Sequence, residues 1–294
     1  MDIIPQIIVS GLAAGGVYGL IALGFVLIYK ATSILNLATG EFMTLGAFVC
    51  LTAMTQLAAP FYLALLVTLA FAAVLGIVIE RIILRPLIGE PIISVIMVTI
   101  GLASILKGLT HMIWSPDYRS FPRIFPPQPL DLGFAIVPSG LLWGFIFAVV
   151  CTALFTGIFR FTRTGLAMRA TASNQQAALS MGISVKRVFA ISWIFAAMAA
   201  SIGGVIIGNI SGISIHLGNI GLKVLSVIIL GGLDSIVGAI IGGFIIGILE
   251  NFVGVYLDAF FGGGVKEVVP FVVLVVILMI RPYGIFGKAL IERV

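Results

Sequence analysis

The chain has 294 residues, of which 61% are hydrophobic and only 9% are Asp, Glu, Lys or Arg, against about 25% charged residues in an ordinary soluble domain. With a mean hydropathy of +1.27, so few charges cannot hydrate the surface of a 31.0 kDa globule, which excludes a soluble enzyme or a nucleic-acid binder, and so apolar a chain is not disordered. A polytopic membrane protein remains, and the net charge of +5 then reports lysines and arginines in the inside loops.

In chain order, Met1-Asp2-Ile3-Ile4-Pro5 lacks the basic start of a signal peptide, and the apolar run from Ile7 to Ile28 is too long for its core. A retained first transmembrane helix is expected. Apolar runs separated by polar breaks predict spans at 6–29, 37–58, 61–83, 91–113, 139–160, 188–208 and 265–281. The stretch 222–257, about 36 residues, exceeds one straight crossing at about 1.5 Å per residue. It is broken by Gly231-Gly232-Leu233-Asp234-Ser235, which predicts a half-helix at 222–231, a turn at 231–235 and a full helix at 236–257. The expected fold is all-α, a polytopic transmembrane helix bundle of about eight full spans plus one short broken half-helix. The unrelieved apolar run Phe271 to Ile280 argues against a β-barrel, whose strands alternate.

Charge placement tests the break. If the basic segment from Arg160 to Arg187 is inside, so are Lys30, Arg81 and Arg85. Two passes through 222–257 put Arg281, Lys288 and Arg293 there too, leaving only Lys107, Arg119, Arg123, Lys223 and Lys266 elsewhere. A single pass would expose the basic tail on the other side. The positive-inside rule favours two passes, with the amino terminus outside and the carboxy terminus inside.

Two loops are long. The outer one, 114–138, carries Pro116, Pro122, Pro126, Pro127, Pro129 and Pro138 and reads as an ordered non-helical cover, a docking surface or a plain connector. The inner one, 161–187, is taken up below. Small-xxx-small spacings at Gly15/Gly19, Gly204/Gly208, Gly238/Gly242 and Gly243/Gly247 predict helices in close backbone contact. Cys50 and Cys151 lie in apolar runs and read as buried thiols.

Catalytic signatures are missing. The sequence has no G-x-x-x-x-G-K-[ST] phosphate loop and no H-E-x-x-H, and His111 and His216 stand apart from other ligating groups, so neither ATP hydrolysis by that loop nor a zinc site is expected. The polar constellation that stands out opens the second span: Asn36-Leu37-Ala38-Thr39-Gly40-Glu41-Phe42-Met43-Thr44-Leu45-Gly46-Ala47. Asn36 or Thr39 can cap a helix, and Glu41 in its first turn gains from the helix dipole. An acid this far into an apolar run costs roughly 2.5–3.5 kcal/mol at a helix centre. Glu41 is therefore either a pathway-lining acid or a capping group near the interface. Asp234 marks the turn of the broken segment. Glu80, Glu90, Asp131, Asp258, Glu267 and Glu292 fall at ends or in loops.

The inner loop runs from Thr162 to Gly182 and is rich in alanine. Its pattern predicts one or two short helices ended by Gly182, which fit a partner's groove or lie on lipid. Within it, Gln176-Ala177-Ala178-Leu179-Ser180-Met181-Gly182 resembles the EAA-x-x-x-G loop of ABC-importer permeases, with Gln176 in place of Glu. Three further stretches are Asn36 to Ala47, Thr164-Gly165-Leu166-Ala167-Met168-Arg169-Ala170-Thr171-Ala172, and Gly231 to Gly243. Together they resemble the Liv-type permeases of branched-chain amino-acid ABC importers, especially the smaller of the two permease subunits, over essentially the whole chain. Asp234 departs from the small residue expected there.

That resemblance implies one transmembrane permease domain over 1–294, with a cytoplasmic coupling loop at 161–187 and a periplasmic loop at 114–138, in a bacterial inner membrane. It implies a second homologous permease, two ATP-binding cassette ATPase subunits that bind the ATP, and a periplasmic substrate-binding protein; no cofactor is expected on this chain. Arg163, Gly165, Arg169, Gln176, Ala177, Ala178 and Gly182 would couple to the ATPase. The expected pathway residues are Asn36, Thr39 and Glu41, with Ser211 and Ser214 ahead of the half-helix. Glu41 would accept a substrate ammonium, and the half-helix amino terminus near Gly221 would meet the carboxylate. Branched-chain or related hydrophobic amino acids are the expected cargo, with urea, short amides or small aromatic acids as the alternative. The competing class is an ion-coupled secondary transporter, for which Glu41, Lys107, Asn209, Glu250 and Asn251 are the candidate ligands.

Overall fold

A computed structural model describes residues 3–88, 90–122, 124, 128–131 and 136–287. Of the residues singled out above, Arg123, Pro126, Pro127, Lys288, Glu292 and Arg293 lie outside that set. The described residues are all-α apart from one two-stranded ribbon, β1 (Leu130–Asp131) with β2 (Ile136–Val137). The helices are α1 (Ile3–Thr32), α2 (Thr39–Thr55), α3 (Phe61–Ile79), α4 (Ile92–Trp114), α5 (Ser139–Phe161), α6 (Arg163–Ser173), α7 (Gln175–Ser180), α8 (Val185–Ser211), α9 (Asn219–Gly231), α10 (Ile236–Tyr256), α11 (Asp258–Phe261) and α12 (Val265–Ile280). α3 runs on through a π-turn at Glu80–Leu84, and a 3-10 turn at Ile215–Gly218 leads into α9.

Among the described residues, six helices are long and apolar enough to cross a membrane: α1, α3 with its extension, α4, α5, α8 and α10. α2 and α12 are apolar but shorter, with 17 and 16 residues, and α9 has 13. In lipid every backbone group must be satisfied within the protein, which is why the apolar runs become helices.

α1 and α8 form the centre of the bundle, with 83% and 72% of their most apolar windows buried; for α4 and α5 the values are 22% and 17%. Small residues allow this packing, because lipid gives helices no hydrophobic drive to associate. α1 meets α10 backbone to backbone: a Cβ on Gly11 would stand 2.6 Å from Ile248 Cα, and one on Gly15 would stand 2.6 Å from the Gly243 carbonyl. α8 lays Ser201 against Gly46 of α2 and donates from the Ser201 hydroxyl to the Phe42 carbonyl at 3.2 Å. Trp193 of α8 is buried and meets Phe42 edge-on, with ring centroids 6.2 Å apart.

The break expected at 231–235 is present. Gly232 takes a φ of +106°, which a glycine adopts without strain. The Ser235 hydroxyl accepts from the Gly238 N–H at 3.0 Å and caps α10. Lys30 at the end of α1 donates to the Asp234 carbonyl at 3.1 Å. The segment after α12 laces onto α9, with Ile285 N–H donating to the Leu230 carbonyl and Phe286 N–H to the Gly231 carbonyl. The ends of α1, α9 and α12 therefore share one end of the bundle, and Lys30 also sits 5.5 Å from the Phe159 ring of α5.

At the opposite end, the described part of loop 114–138 is an ordered non-helical cover. Arg119 and Ile213 exchange backbone hydrogen bonds at 2.9 and 2.7 Å. Trp114 Nε1 donates to the Thr52 hydroxyl at 2.7 Å.

Candidate functional site

α9, with 13 residues, is too short to cross the roughly 30 Å hydrocarbon core alone at about 1.5 Å per residue, and its amino-terminal end meets that of α2. Gly40 of α2 packs on Gly218 and Gly221; a Cβ on Gly221 would stand 2.6 Å from Gly40 Cα, and one on Gly218 would stand 2.5 Å from Glu41 Oε1. Any side chain at these glycines would push the two helix starts apart.

Glu41 sits in the first turn of α2 at this junction, 8% exposed, and its Oε2 has no hydrogen-bond partner. The ammonium of Lys107 on α4 is near enough to act on it electrostatically. A buried carboxylate oxygen without a hydrogen-bond partner is costly.

The other expected pathway residues make hydrogen bonds within the chain. Asn36 and Thr39 are fully buried and build the turn into α2. Asn36 Oδ1 accepts from the Ala38 N–H at 3.0 Å, and the Thr39 hydroxyl donates to the Asn36 carbonyl at 2.9 Å. Neither caps the helix: the cap residue is Ala38, and it makes no side-chain cap bond. Leu37 N–H donates to Thr99 Oγ1 at 3.4 Å, holding the turn against α4. Ser211 is exposed, with its carbonyl held by the Tyr118 hydroxyl at 2.5 Å. The Ser214 hydroxyl accepts from the His216 N–H at 3.3 Å and caps the 3-10 turn.

That turn uses two of the N–H groups that lead into α9: Leu217 N–H bonds the Ser214 carbonyl, and Asn219 N–H bonds the His216 and Leu217 carbonyls.

A cluster that sequence reasoning left unpaired lies beside the junction. Lys223 Nζ of α9 meets Glu250 Oε1 of α10 at 2.7 Å, and the Tyr18 hydroxyl of α1 donates to Glu250 Oε2 at 2.7 Å. Both charged groups are largely buried. The available signal was each lone charge inside an apolar helix, which requires a partner. Glu250 is thus committed to structure, and Asn251 Nδ2 donates to its own helix at the Gly247 carbonyl. Among the described residues no three metal-ligating side chains gather.

At the basic end, α6 and α7 form an elbow between α5 and α8. The Thr162 hydroxyl accepts from the Gly165 N–H at 3.0 Å, and Asn174 Oδ1 accepts from the Ala177 N–H at 2.9 Å, capping the two helices. Gly182 ends the elbow with a φ of +79°. Gly165 is buried against the Phe159 carbonyl. Arg169 donates to the Phe159 and Arg160 carbonyls, satisfying orphan acceptors at the end of α5. Arg163, Gln176, Ala177 and Gly182 are exposed, while Ala178 is buried. Leu166, Leu179 and Met181 are exposed at 59%, 57% and 83%.

The family model described as "Branched-chain amino acid transport system / permease component" matches residues 7–278. The chain belongs to this permease family. A high-affinity branched-chain amino acid transport system permease protein LivH of Salmonella typhimurium is 28% identical, covering 97% of this chain and 96% of its own length. The corresponding BraD of Pseudomonas aeruginosa is 29% identical, covering 98% and 97%. A probable LivH of Methanocaldococcus jannaschii is 32% identical over 91% of this chain and 88% of its own length. No solved structure matches the chain. This permease is accordingly a multi-pass membrane transport component and not an enzyme.

Proposed function

We propose that this permease is the transmembrane subunit of an ATP-driven ABC importer for branched-chain or related hydrophobic amino acids in a bacterial inner membrane. The observation that carries the reading is the α6–α7 elbow: two capped helices, anchored to α5 through Arg169, that present an exposed apolar face. Such a face on the basic, cytoplasmic end fits a groove on a partner, and a short packed helix passes on rigid-body motion better than a loose loop does. The partners are two ATPase subunits that hold the ATP, a second homologous permease and a periplasmic binding protein. Relatives of the chain are named as transport-system permeases for branched-chain amino acids, which supports that cargo.

In this reading the amino terminus is periplasmic and the carboxy terminus cytoplasmic. α1, α2, α3, α4, α5, α8, α10 and α12 make eight passes, with α9 as the half-helix. The junction of α2 and α9 then lies within the membrane, as binding sites between interrupted helices do in other transporters. Glu41 receives the substrate ammonium. Lys107 faces the carboxylate, near the amino-terminal end of α9. The two bundles of the heterodimer rock around this path as the ATPases close.

Co-purification tests the proposal. Tagged wild-type chain, extracted in mild detergent, is expected to bring down an ATPase and a second permease. The double variant Ala177→Arg/Gly182→Lys is expected to keep the permease and lose the ATPase. A chain that emerges alone from its native membrane and is active alone contradicts the reading. The ion-coupled alternative has little support from geometry, because Glu250 and Asn251 are already engaged.

A further inference from the structure

Two adjoining cavities run along α5 and share Thr156, Arg160 and Phe161. The first, about 440 Å³, lies between α1, α5 and α10; Gly16 and Gly19, Thr152 and Val149, and Ile240 and Phe244 form its walls. From Val149 to Phe161 it follows α5 for about 18 Å at 1.5 Å per residue, close to the roughly 15 Å depth of one hydrocarbon leaflet. The second, about 510 Å³, opens at the basic end, where Arg160 and Arg169 stand in its wall. No carboxylate lines either cavity among the described residues. The Arg160 guanidinium lies over the Phe161 ring at 5.7 Å, and that of Arg169 over Phe159 at 5.6 Å.

We propose that this groove binds one anionic phospholipid, with an acyl chain laid on the glycine floor of α1 and the phosphate held at Arg160 beside Arg169. Shape and charge both select this occupant. An apolar furrow one leaflet deep suits a chain, and a basic pocket between helices at the membrane surface suits an acidic head group. A neutral lipid would fill the furrow and bring no anion to the arginines. The head group would sit at the joint where α5 turns into the elbow, since Arg169 itself ties α6 to the last carbonyls of α5. The inference needs only that the chain spans a membrane; it does not depend on the ATPase or on the cargo.

Gly157 supplies a clean probe, because a Cβ added there meets nothing within 4 Å. Val150, on α5 and 56% exposed, lies outside the lining and serves as the control. The full chain is purified and delipidated, and titrated with phosphatidylglycerol or phosphatidylcholine under native mass spectrometry. Wild type and Val150→Trp are expected to hold one phosphatidylglycerol in preference to phosphatidylcholine. Arg160→Gln is expected to weaken phosphatidylglycerol binding about fivefold, the worth of one basic residue at a lipid surface, and Gly157→Trp to abolish the tight adduct. The thermal midpoint of each variant without lipid, unchanged from wild type, shows that the bundle is intact. Equal retention of both lipids would overturn the proposal, leaving ordinary boundary lipid. So would loss in Arg160→Gln alone, which would mean a surface charge effect without a chain in the groove. Disulfide cross-linking of Gly157→Cys to a second protein subunit in the membrane would also overturn it, since the groove would then be a protein interface.

Discussion

In the proposed transport path, Glu41 is the residue that would meet the substrate ammonium. It sits where two helix starts touch, with one oxygen unpartnered and the Lys107 ammonium acting on it. An amino acid arriving as a zwitterion gives each of these groups a partner of opposite sign, and a hydrogen bond to a charged group contributes about 1.5–3 kcal/mol. We therefore expect Glu41→Gln to lower leucine uptake by the assembled complex about tenfold or more, with the amount of complex in the membrane unchanged on immunoblots. Unchanged uptake would remove Glu41 from the path. Gly218→Leu would act differently: its side chain would displace the Glu41 carboxyl and separate α2 from α9, so both assembly and uptake should fall. The burial of Glu41 at the start of α2 was legible, because an acid in an apolar run stands out. The roles of Asn36, Thr39, Ser211 and Ser214 were not. A hydroxyl or amide next to a helix start has several backbone groups within reach, and only the folded chain decides which it takes.

Among the elements, α9 depends on the Lys223–Glu250–Tyr18 cluster, which ties it to α10 and α1. Breaking a buried ion pair from one side leaves an uncompensated charge, at a cost of about 3–5 kcal/mol, whereas replacing both partners by apolar groups is often neutral. Lys223→Met and Glu250→Leu should each lower the thermal midpoint sharply, and the double variant should recover most of the loss. Additive losses in the double variant would contradict this account. The α1–α10 seam makes a parallel case. Gly15→Leu drives a side chain into the Gly243 backbone and should cost at least about 1–3 kcal/mol, the range for overpacking, read as the same midpoint. Close backbone packing was readable from glycine spacing, and the break at Gly231–Ser235 from segment length and charge placement; that α10 is the partner of α1 was not. The short length of α2 was not, because its apolar run is continuous with the turn before it, and that turn is held by a bond to Thr99 some sixty positions on. The ion pair escaped for the same reason: its partners are on different helices 27 residues apart.

For the whole molecule, a bundle with α1 and α8 at its centre and α4 and α5 at its margin leaves broad apolar faces for lipid or a second permease, and one elbow for an ATPase. The class, the helical architecture and the family were all legible in composition, apolar run length and a few motifs. The groove along α5 was not, since it arises where three helices separated in sequence happen not to close. The central claim is that ATP hydrolysed elsewhere drives transport through this chain by way of the α6–α7 elbow. The most direct test is uptake of labelled leucine into proteoliposomes holding the co-purified complex and its binding protein, with ATP trapped on the ATPase side. We expect uptake that requires ATP, persists when ion gradients are collapsed, and disappears in Leu179→Glu/Met181→Glu although both permeases remain. Uptake by this chain alone, driven by an ion gradient and indifferent to ATP and to the elbow substitutions, would contradict the account.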